Sequence, residues 1–405
     1  MFARAPSSKL GHSILPVANY IPAAVSYYPQ RCVFPLFQVS TPRSTHSIRA
    51  LSDRALFGRK NKNYGQISPA SRNDHRRGTP PHLTYRPFST QDIPEELRNQ
   101  ERCRVESTKP GEPTIHALFE PNTSTWQYIV SDPASSHAVI IDTVLDYDRT
   151  TQTISTQSAD AIRKMVKDQG YKIVMILETH IHADHMTAAS YLQTKLAQDQ
   201  GFQPPISIGK RIEQVQNLFG QRYGVPEAEY KGVFGKYFDD DEIFNIGELS
   251  ASVLHLPGHT PDHVGYKIGE NVFCGDSAFH ADIGTARCDF PGGSARDMFQ
   301  SGRKLLSLAD GVKIWTGHDY PPQGREDLRP WMSVREHRRH NKHLMDGTTL
   351  EAYVAMREER DAKMSEPKLL HPSLQVNIRA GRLPKPTPSG YRMLHLPLKF
   401  EGVAW

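Results

Sequence analysis

Apolar residues recur in two patterns along residues 113–325, and each pattern predicts one kind of element. Short apolar runs bounded by polar residues, such as Ile173–Leu177, are typical of strands buried on both faces of a sheet. Longer segments with apolar residues three or four positions apart predict helices over Ser158–Gln169, Met186–Gln198 and Ala295–Ser307. Strands thus alternate with helices, which indicates a mixed α/β domain over residues 113–325.

Residues 326–405 differ from this domain and predict a helix-rich C-terminal extension. Charged helical segments cover Met332–Met345 and Leu350–Met364, and a tail rich in proline and glycine follows. The three histidines of the first helix have helical i,i+3 spacing but stand among arginines and lysines. This arrangement predicts a solvated basic helix rather than a metal site, for His337, His340 and His343.

The N-terminal part shows neither pattern, and its charge sets it apart. Residues 1–90 hold thirteen lysines and arginines but only two acids, with no acid before Asp53. Depletion of acids in a chain rich in serine and arginine is typical of an organellar transit peptide, and Arg86–Thr90 looks like a mitochondrial processing site. We therefore expect residues 1–88 to be a mitochondrial transit peptide, residues 89–112 a linker, and the protein to lie in the matrix. The alternative is a disordered basic tail on a cytoplasmic protein.

Charge, hydropathy and cysteine content argue against several protein classes. Residues 91–405 carry a net charge of −6, which offers no broad positive surface for nucleic acid. The apolar stretch Ile14–Val25 is interrupted by two prolines, and no stretch reaches the ~20 apolar residues of a membrane span. The four cysteines form no CxxC pair, so a disulfide framework or a cysteine zinc site is not expected.

Residue types that bind metals are most concentrated between His180 and His185. The run also contains His182 and Asp184, and it directly follows the predicted strand Ile173–Leu177. Residues i and i+2 of an extended backbone point the same way, so His180 and His182 would face a common point. Neutral imidazole and carboxylate groups suit Zn, Fe and Mn. A structural alternative makes Asp184 a helix N-cap and the histidines surface residues, but three histidines and an aspartate together favour coordination.

Three more ligand-type residues stand at the ends of predicted strands. His259 is presented by a turn between Pro257 and Pro261, whereas Asp276 and His318 each follow a short apolar run and a glycine. Any one of them alone would be an ordinary loop residue. Their shared position at strand ends indicates that they belong to the same metal site as His180.

The ordered motifs HxHxDH (180–185), PGHTP (257–261), GD (275–276) and GHDY (317–320) resemble those of the metallo-β-lactamase superfamily over residues 113–325. The resemblance implies an α/β fold, a four-layer αββα sandwich with the metal site along one edge of its sheets, here followed by a C-terminal helical extension. It also implies two metal positions, which would be formed by His180, His182, His259 and Asp276, and by Asp184, His185, Asp276 and His318. All seven positions hold ligand-type residues, which is typical of a catalytic member.

Neighbouring segments favour one branch of this superfamily. The segment Gly284–Gly293 and the run His318–Tyr320 look like the persulfide dioxygenase (sulfur dioxygenase) branch. Hydroxyacylglutathione hydrolases (glyoxalase II) typically carry a glutamate where Asp319 stands. The resemblance implies one Fe(II) per chain, held by His180, His259 and Asp276. The remaining four residues would surround these ligands without binding metal and fix their tautomers, namely His182, Asp184, His185 and His318.

The same resemblance suggests what the site acts on. Arg287 and Tyr320 match positions near the substrate, although Arg287 could instead form a structural salt bridge with Asp289. Glutathione persulfide would be oxidised by O₂ to sulfite and glutathione in sulfide catabolism, and no further cofactor site is expected. A homodimer is the candidate assembly. The alternative function is a glutathione thioester hydrolase of the glyoxalase II type with one or two Zn²⁺.

Overall fold

The computed structural model describes residues 101–402, so the expected transit peptide (residues 1–88) lies outside the described residues. The strands are β1 (Glu101–Val105), β2 (Thr114–Glu120), β3 (Thr125–Ser131), β4 (His137–Ile141), β5 (Val144–Asp148), β6 (Thr153–Ser155), β7 (Lys172–Leu177), β8 (Met186–Thr187), β9 (Ile206–Gly209), β10 (Lys236–Phe238), β11 (Ile243–Ile246), β12 (Leu249–His255), β13 (Val264–Ile268), β14 (Asn271–Phe273), β15 (Lys313–Trp315) and β16 (Trp331–Ser333). The helices are α1 (Gln157–Asp168), α2 (Ala189–Gln200), α3 (Ile212–Arg222), α4 (Ala295–Leu306), α5 (Val334–His340), α6 (Leu350–Asp361) and α7 (Leu370–Asn377).

Two large sheets form the centre of the fold. The first has the strand order β1-β2-β3-β4-β7-β9-β10 and the second the order β11-β12-β13-β14-β15-β16. Pairing in the first sheet is antiparallel up to β4 and parallel from β4 through β7 and β9 to β10. A small third sheet, β6-β5-β8, lies beside them in the described chain.

Strand β4 shows how the layers are built. Val139 and Ile141 pack into the core between the two sheets, whereas Ala138 and Ile140 pack into the core under α1, α2 and α3. Successive side chains of a strand point to opposite faces, so an unbroken apolar run is needed where both faces are buried. A third core joins the second sheet to α4, α5 and α6. The described chain is therefore the expected αββα sandwich with C-terminal helices.

Several element boundaries differ from those expected from the sequence. The helix expected from Met186 begins at Ala189, because Met186 and Thr187 pair with Leu145 and Val144 as strand β8. The segment 89–112, expected to be a linker, includes β1, which pairs with β2. The tail rich in proline and glycine includes a helix, α7. The two strands among these elements depend on pairing with other segments, which a local pattern does not record.

The expected solvated basic helix in the C-terminal extension is only partly correct. Its helix, α5, ends at His340, and His337 and His343 are both buried. The backbone N–H of Thr285 donates to His343 Nδ1 at 3.0 Å. Burial, together with the nearby positive charges of Arg357 and Lys342, lowers the pKa of His343 to about 3. The expectation failed because the helix ends before His343, which turns inward.

Candidate metal centre

Loops at the ends of β7, β12 and β14 bring three expected ligands together. His180, His259 and Asp276 are all buried, and one ligand atom from each lies within 4.8 Å of those of the other two. His180 follows β7, His259 follows β12, and Asp276 lies in a 3₁₀ turn directly after β14. The strands of both sheets are fixed by their cores, so these loops are held at one edge of the sandwich.

His180 is oriented by the residue next to it. The hydroxyl of Thr179 donates to Asp142 Oδ2 at 2.8 Å, so its oxygen can accept a hydrogen bond from His180 Nδ1 at 3.0 Å. A proton on Nδ1 leaves the lone pair of His180 Nε2 free for a metal. Burial also lowers the pKa of His180 well below its ordinary range, which keeps the imidazole neutral as a metal ligand must be.

His259 is oriented in the same way by a backbone group. Its Nδ1 donates to the carbonyl oxygen of Arg287 at 2.8 Å, which leaves Nε2 as the acceptor. That Nε2 lies 3.7 Å from Asp276 Oδ2. Asp276 is held by its own backbone N–H, which donates to His263 Nε2 at 3.0 Å. The ring of His263 also stacks on that of His180.

Atoms without a hydrogen-bond partner show that these residues fit a metal ion. Among residues 101–402, the buried atoms His180 Nε2 and Asp276 Oδ1 accept no hydrogen bond from the protein. Buried polar atoms are normally satisfied, because an unsatisfied one carries its full desolvation penalty. Two neutral imidazoles and one carboxylate are a donor set typical of Fe and Zn.

The contacts of the His182 side chain differ from those of His180. Its Nε2 lies 3.2 Å from Asp142 Oδ1 and 3.2 Å from Glu178 Oε2, and all three residues are buried. Burial alone would lower the pKa of His182, but the charge of Asp142 and then Glu178 outweigh burial and raise it well above the ordinary range. These carboxylates hold Nε2 of His182, whereas its Nδ1 is buried without a hydrogen-bond partner among the described residues and is the atom left for a metal.

The residues of the second expected metal position are also close together. His318 Nε2 lies 2.9 Å from Asp184 Oδ2 and 3.5 Å from Asp276 Oδ1. Burial disfavours the charged imidazole, yet these two carboxylates raise the pKa of His318 to about 9. His185 is buried with its Nε2 unpartnered among the described residues. A ligand atom of His185 lies within 4.8 Å of those of His182 and Asp184, which forms a second metal-binding group.

The imidazoles of the ligands are held by other residues than the four expected to fix their tautomers. His318 contacts the ligand Asp276, but the imidazoles of His180 and His259 are held by Thr179 and by the Arg287 carbonyl. The sequence alone did not reveal these partners, nor the roles of Asp142, Glu178 and His263. The only signal available for Asp142 was an acid at the end of a buried strand, and here it takes a left-handed φ of 52°.

The two expected substrate-side residues differ in their surroundings. The guanidinium of Arg287 binds the carboxylate of Asp289 through two hydrogen bonds of 2.5 Å and donates to the Ser365 carbonyl at 2.8 Å. Arg287 therefore forms the structural salt bridge with Asp289 that was expected as the alternative to substrate binding. Tyr320 is 40% exposed, and its ring stacks on His318 with centroids 5.5 Å apart. Its position leaves the ring accessible to a substrate beside the centre.

A cavity of about 580 Å³ adjoins this region. Its walls include His185, Met186 and the β5–β6 hairpin, and it reaches the second metal-binding group rather than His180 or His259. Small-molecule sites in proteins commonly have volumes of ~300–1,000 Å³. The cavity is thus large enough for a small substrate close to the metal centre. No helix within residues 101–402 is long and apolar enough to cross a membrane.

Comparison with known proteins agrees with this architecture. The sequence model described as the metallo-beta-lactamase superfamily matches residues 123–318. A "beta-lactamase hydrolase-like protein" of Xylella fastidiosa is 42% identical over 72% of this chain and 67% of its own length. "Glyoxylase B2" of Dictyostelium discoideum is 40% identical over 71% of this chain and 97% of its own length.

Proteins named as persulfide dioxygenase or ETHE1 are also similar to this chain. The mitochondrial "persulfide dioxygenase ETHE1" of Bos taurus is 28% identical over 53% of this chain and 71% of its own length. The crystal structure of ETHE1 from Myxococcus xanthus superposes with a TM-score of 0.53 and 26% identity, over 66% of this chain and 99% of that one. Relatives named as hydrolases and relatives named as dioxygenases thus share this fold.

Proposed function

Because the chain belongs to the metallo-β-lactamase superfamily, we propose that it is an Fe(II)-dependent persulfide dioxygenase acting on glutathione persulfide. The balanced reaction is GSSH + O₂ + H₂O → GSH + SO₃²⁻ + 2 H⁺. The terminal sulfur is oxidised, O₂ is reduced, the S–S bond breaks, and glutathione leaves as the thiol. This proposal names the metal and the substrate, which the fold alone leaves open.

One observation carries the proposal: three ligands converge, while carboxylates hold the Nε2 atom of a fourth candidate, His182. His180, His259 and Asp276 offer ligand atoms within 4.8 Å of one another, whereas His182 Nε2 lies between two carboxylates. Two histidines and one carboxylate with open coordination positions are typical of non-haem Fe(II) oxygenases. When bound, Fe(II) would supply the redox chemistry that O₂ requires and that Zn²⁺ lacks.

Residues of the chain orient the metal ligands and leave space for the substrate. Thr179 and the Arg287 carbonyl keep protons on the Nδ1 atoms of His180 and His259, so both Nε2 atoms face the metal position. Burial of these ligands excludes bulk water from the site. The exposed ring of Tyr320 and the cavity of about 580 Å³ leave room for the glutathione part of the substrate.

A second candidate function is a zinc-dependent hydrolase of glutathione thioesters. Two observations favour it: the second metal-binding group formed by His182, Asp184 and His185, and the hydrolase-type names of relatives 40–42% identical. The dioxygenase needs only the set of His180, His259 and Asp276, whereas His182 could join a metal only through Nδ1, because its Nε2 is held by Asp142 and Glu178.

Reconstitution distinguishes the two functions. Metal-free protein is loaded anaerobically with Fe²⁺ or with Zn²⁺, and each form is assayed with glutathione persulfide and with a glutathione thioester. We expect O₂ uptake and sulfite in equal amounts from the Fe²⁺ form, and neither from the Zn²⁺ form. Thioester hydrolysis by the Zn²⁺ form without O₂ uptake by the Fe²⁺ form would establish the hydrolase instead.

We also propose that the protein acts in the mitochondrial matrix. The acid-poor composition of residues 1–88 supports this location. N-terminal sequencing of protein isolated from its own cells tests it, because import would leave an N-terminus near residue 89. An intact Met1 would overturn the proposal.

A further inference from the structure

The C-terminal extension reaches the metal-binding loop through one side chain. Asn377, the last residue of α7, is buried, and its Nδ2 donates to the carbonyl oxygens of His182 and His185, both at 2.8 Å. Its Oδ1 accepts from the backbone N–H of Thr187 at 2.9 Å. One amide group thereby bonds to three backbone groups within six residues of the loop.

These contacts indicate a role for Asn377 in holding the metal-binding loop. We propose that Asn377 is a positioning residue of the metal centre, which fixes the backbone of residues 182–187 so that Asp184 and His185 face the metal-binding groups. Asn377 touches neither a ligand side chain nor a substrate, so it acts through the loop. The inference goes beyond the proposed function, because it holds for an oxygenase and for a hydrolase.

The amide of Asn377 suits this loop because it both donates and accepts. The loop presents two buried carbonyl oxygens and one N–H that would otherwise point into the core beneath α7. An asparagine side chain has two N–H donors and a carbonyl acceptor, which satisfies all three groups. Aspartate has the same shape but no N–H donors, so it would place a carboxylate against the carbonyls of His182 and His185.

The backbone after α7 is also shaped to approach the loop. Gly381 has a φ of +81°, and a Cβ added there would lie 2.9 Å from the Thr187 carbonyl oxygen and 3.1 Å from the Ser190 N. A glycine is required for this conformation and for this close approach. The chain thus keeps two features, Asn377 and Gly381, that hold its C-terminal part against residues 182–190.

A matched control lies two residues earlier on the same helix. Gln375 is also buried and also makes amide hydrogen bonds, but its partners are the carbonyls of His371 and His395 and the N–H of His395. Its bonds hold the C-terminal tail instead of the metal loop. Comparison of Asn377 with Gln375 therefore separates loop positioning from general stabilisation.

The test measures metal affinity in the full chain. Zn²⁺ serves as the probe, and its dissociation constant is measured by chelator competition for the wild type and for Asn377→Asp, Asn377→Ala and Gln375→Ala. Thermal unfolding of each metal-free protein is recorded in parallel. Loss of an outer partner of a metal site typically costs ~10–100-fold in affinity, so in both Asn377 variants we expect that loss for the Zn²⁺ bound by His182, Asp184 and His185. Gln375→Ala should lower the unfolding temperature but keep the affinity of the wild type.

Equal Zn²⁺ affinity in the wild type and in Asn377→Asp would overturn the proposal, whatever happens to stability. An equal loss of affinity in Gln375→Ala would also overturn it, since the effect would then come from the whole extension. If Asn377→Ala does not fold, the isosteric Asn377→Asp and the control still decide the outcome.

Discussion

His259 Nδ1 lies 2.8 Å from the backbone carbonyl oxygen of Arg287, and this contact aims the opposite nitrogen of the ring at Asp276. The ligand is oriented by the main chain of residue 287, while the side chain of the same residue turns to Asp289. A substitution of the Arg287 side chain therefore leaves the contact with His259 available.

Arg287→Ala and Asp289→Ala should both destabilise the protein, because each removes the same salt bridge, and Arg287→Ala also removes the hydrogen bond to the Ser365 carbonyl. We expect the lost salt bridge to lower the free energy of unfolding by about 0.5–1 kcal/mol, with little loss in the double variant beyond that of Arg287→Ala. KM for glutathione persulfide should stay at the wild-type value in both. A KM raised about tenfold in Arg287→Ala alone, a loss of about 1.4 kcal/mol of binding, would instead show that Arg287 holds the substrate.

Thr179→Val should weaken metal binding while keeping the size of the side chain. Valine cannot relay between Asp142 and His180 Nδ1, so the His180 ring loses the hydrogen bond that fixes its tautomer. We expect the metal dissociation constant to rise by ~10–100-fold, measured by chelator competition. The control is Thr194→Val on the exposed side of α2, where the hydroxyl bonds only the Ser190 carbonyl in the described structure. Similar affinities in the two variants would contradict this role of Thr179.

Gly317→Ala should disturb Asp276 directly. A Cβ at Gly317 would collide with Asp276 Oδ1 and approach the carbonyl carbon of Gly275 at 3.1 Å. The metal content of the purified variant, measured by mass spectrometry, should fall well below that of the wild type. Gly311→Ala is the control, because its Cβ would meet no atom within 4 Å in the described structure. Full metal content in Gly317→Ala would contradict the displacement of Asp276 by this Cβ.

Acid should destabilise the protein partly through His343. Its pKa is lowered to about 3 in the folded state, while an unfolded histidine has a pKa of about 6.5, so the unfolded state binds more protons between these values. Stability present above pH 6.5 is therefore lost as the pH falls, by at most about 1.4 kcal/mol per pH unit from this group. Urea unfolding from pH 7 to pH 4 should show a smaller pH dependence in His343→Gln. Parallel curves for the variant and the wild type would contradict this account.

The strands and the ligand-type residues could be read from the sequence because their signals are local. The run Ile173–Leu177 is apolar because both faces of β7 are buried, and His180 follows where that strand ends. Glycines before Asp276 and His318 mark the turns in the same way. The resemblance to a known superfamily then supplied the four-layer arrangement.

The features that the sequence did not predict depend on contacts between residues far apart in the chain. Asn377 lies 190 positions from Thr187, and no local pattern connects a polar residue in a tail to a loop that far away. Arg287 could pair with a substrate or with Asp289, and only the folded loop selects Asp289. His343 looked exposed because the helix was expected to continue past His340, where the capping by Asn341 ends it.

The central claim is that one iron, held by His180, His259 and Asp276, oxidises a persulfide. Its most direct test measures bound iron per chain together with O₂ uptake on glutathione persulfide, in the wild type and in Asp276→Ala. We predict one iron per wild-type chain, and loss of iron and O₂ uptake together in the variant. Two metal ions per active chain, or O₂ uptake that survives in Asp276→Ala, would contradict the account.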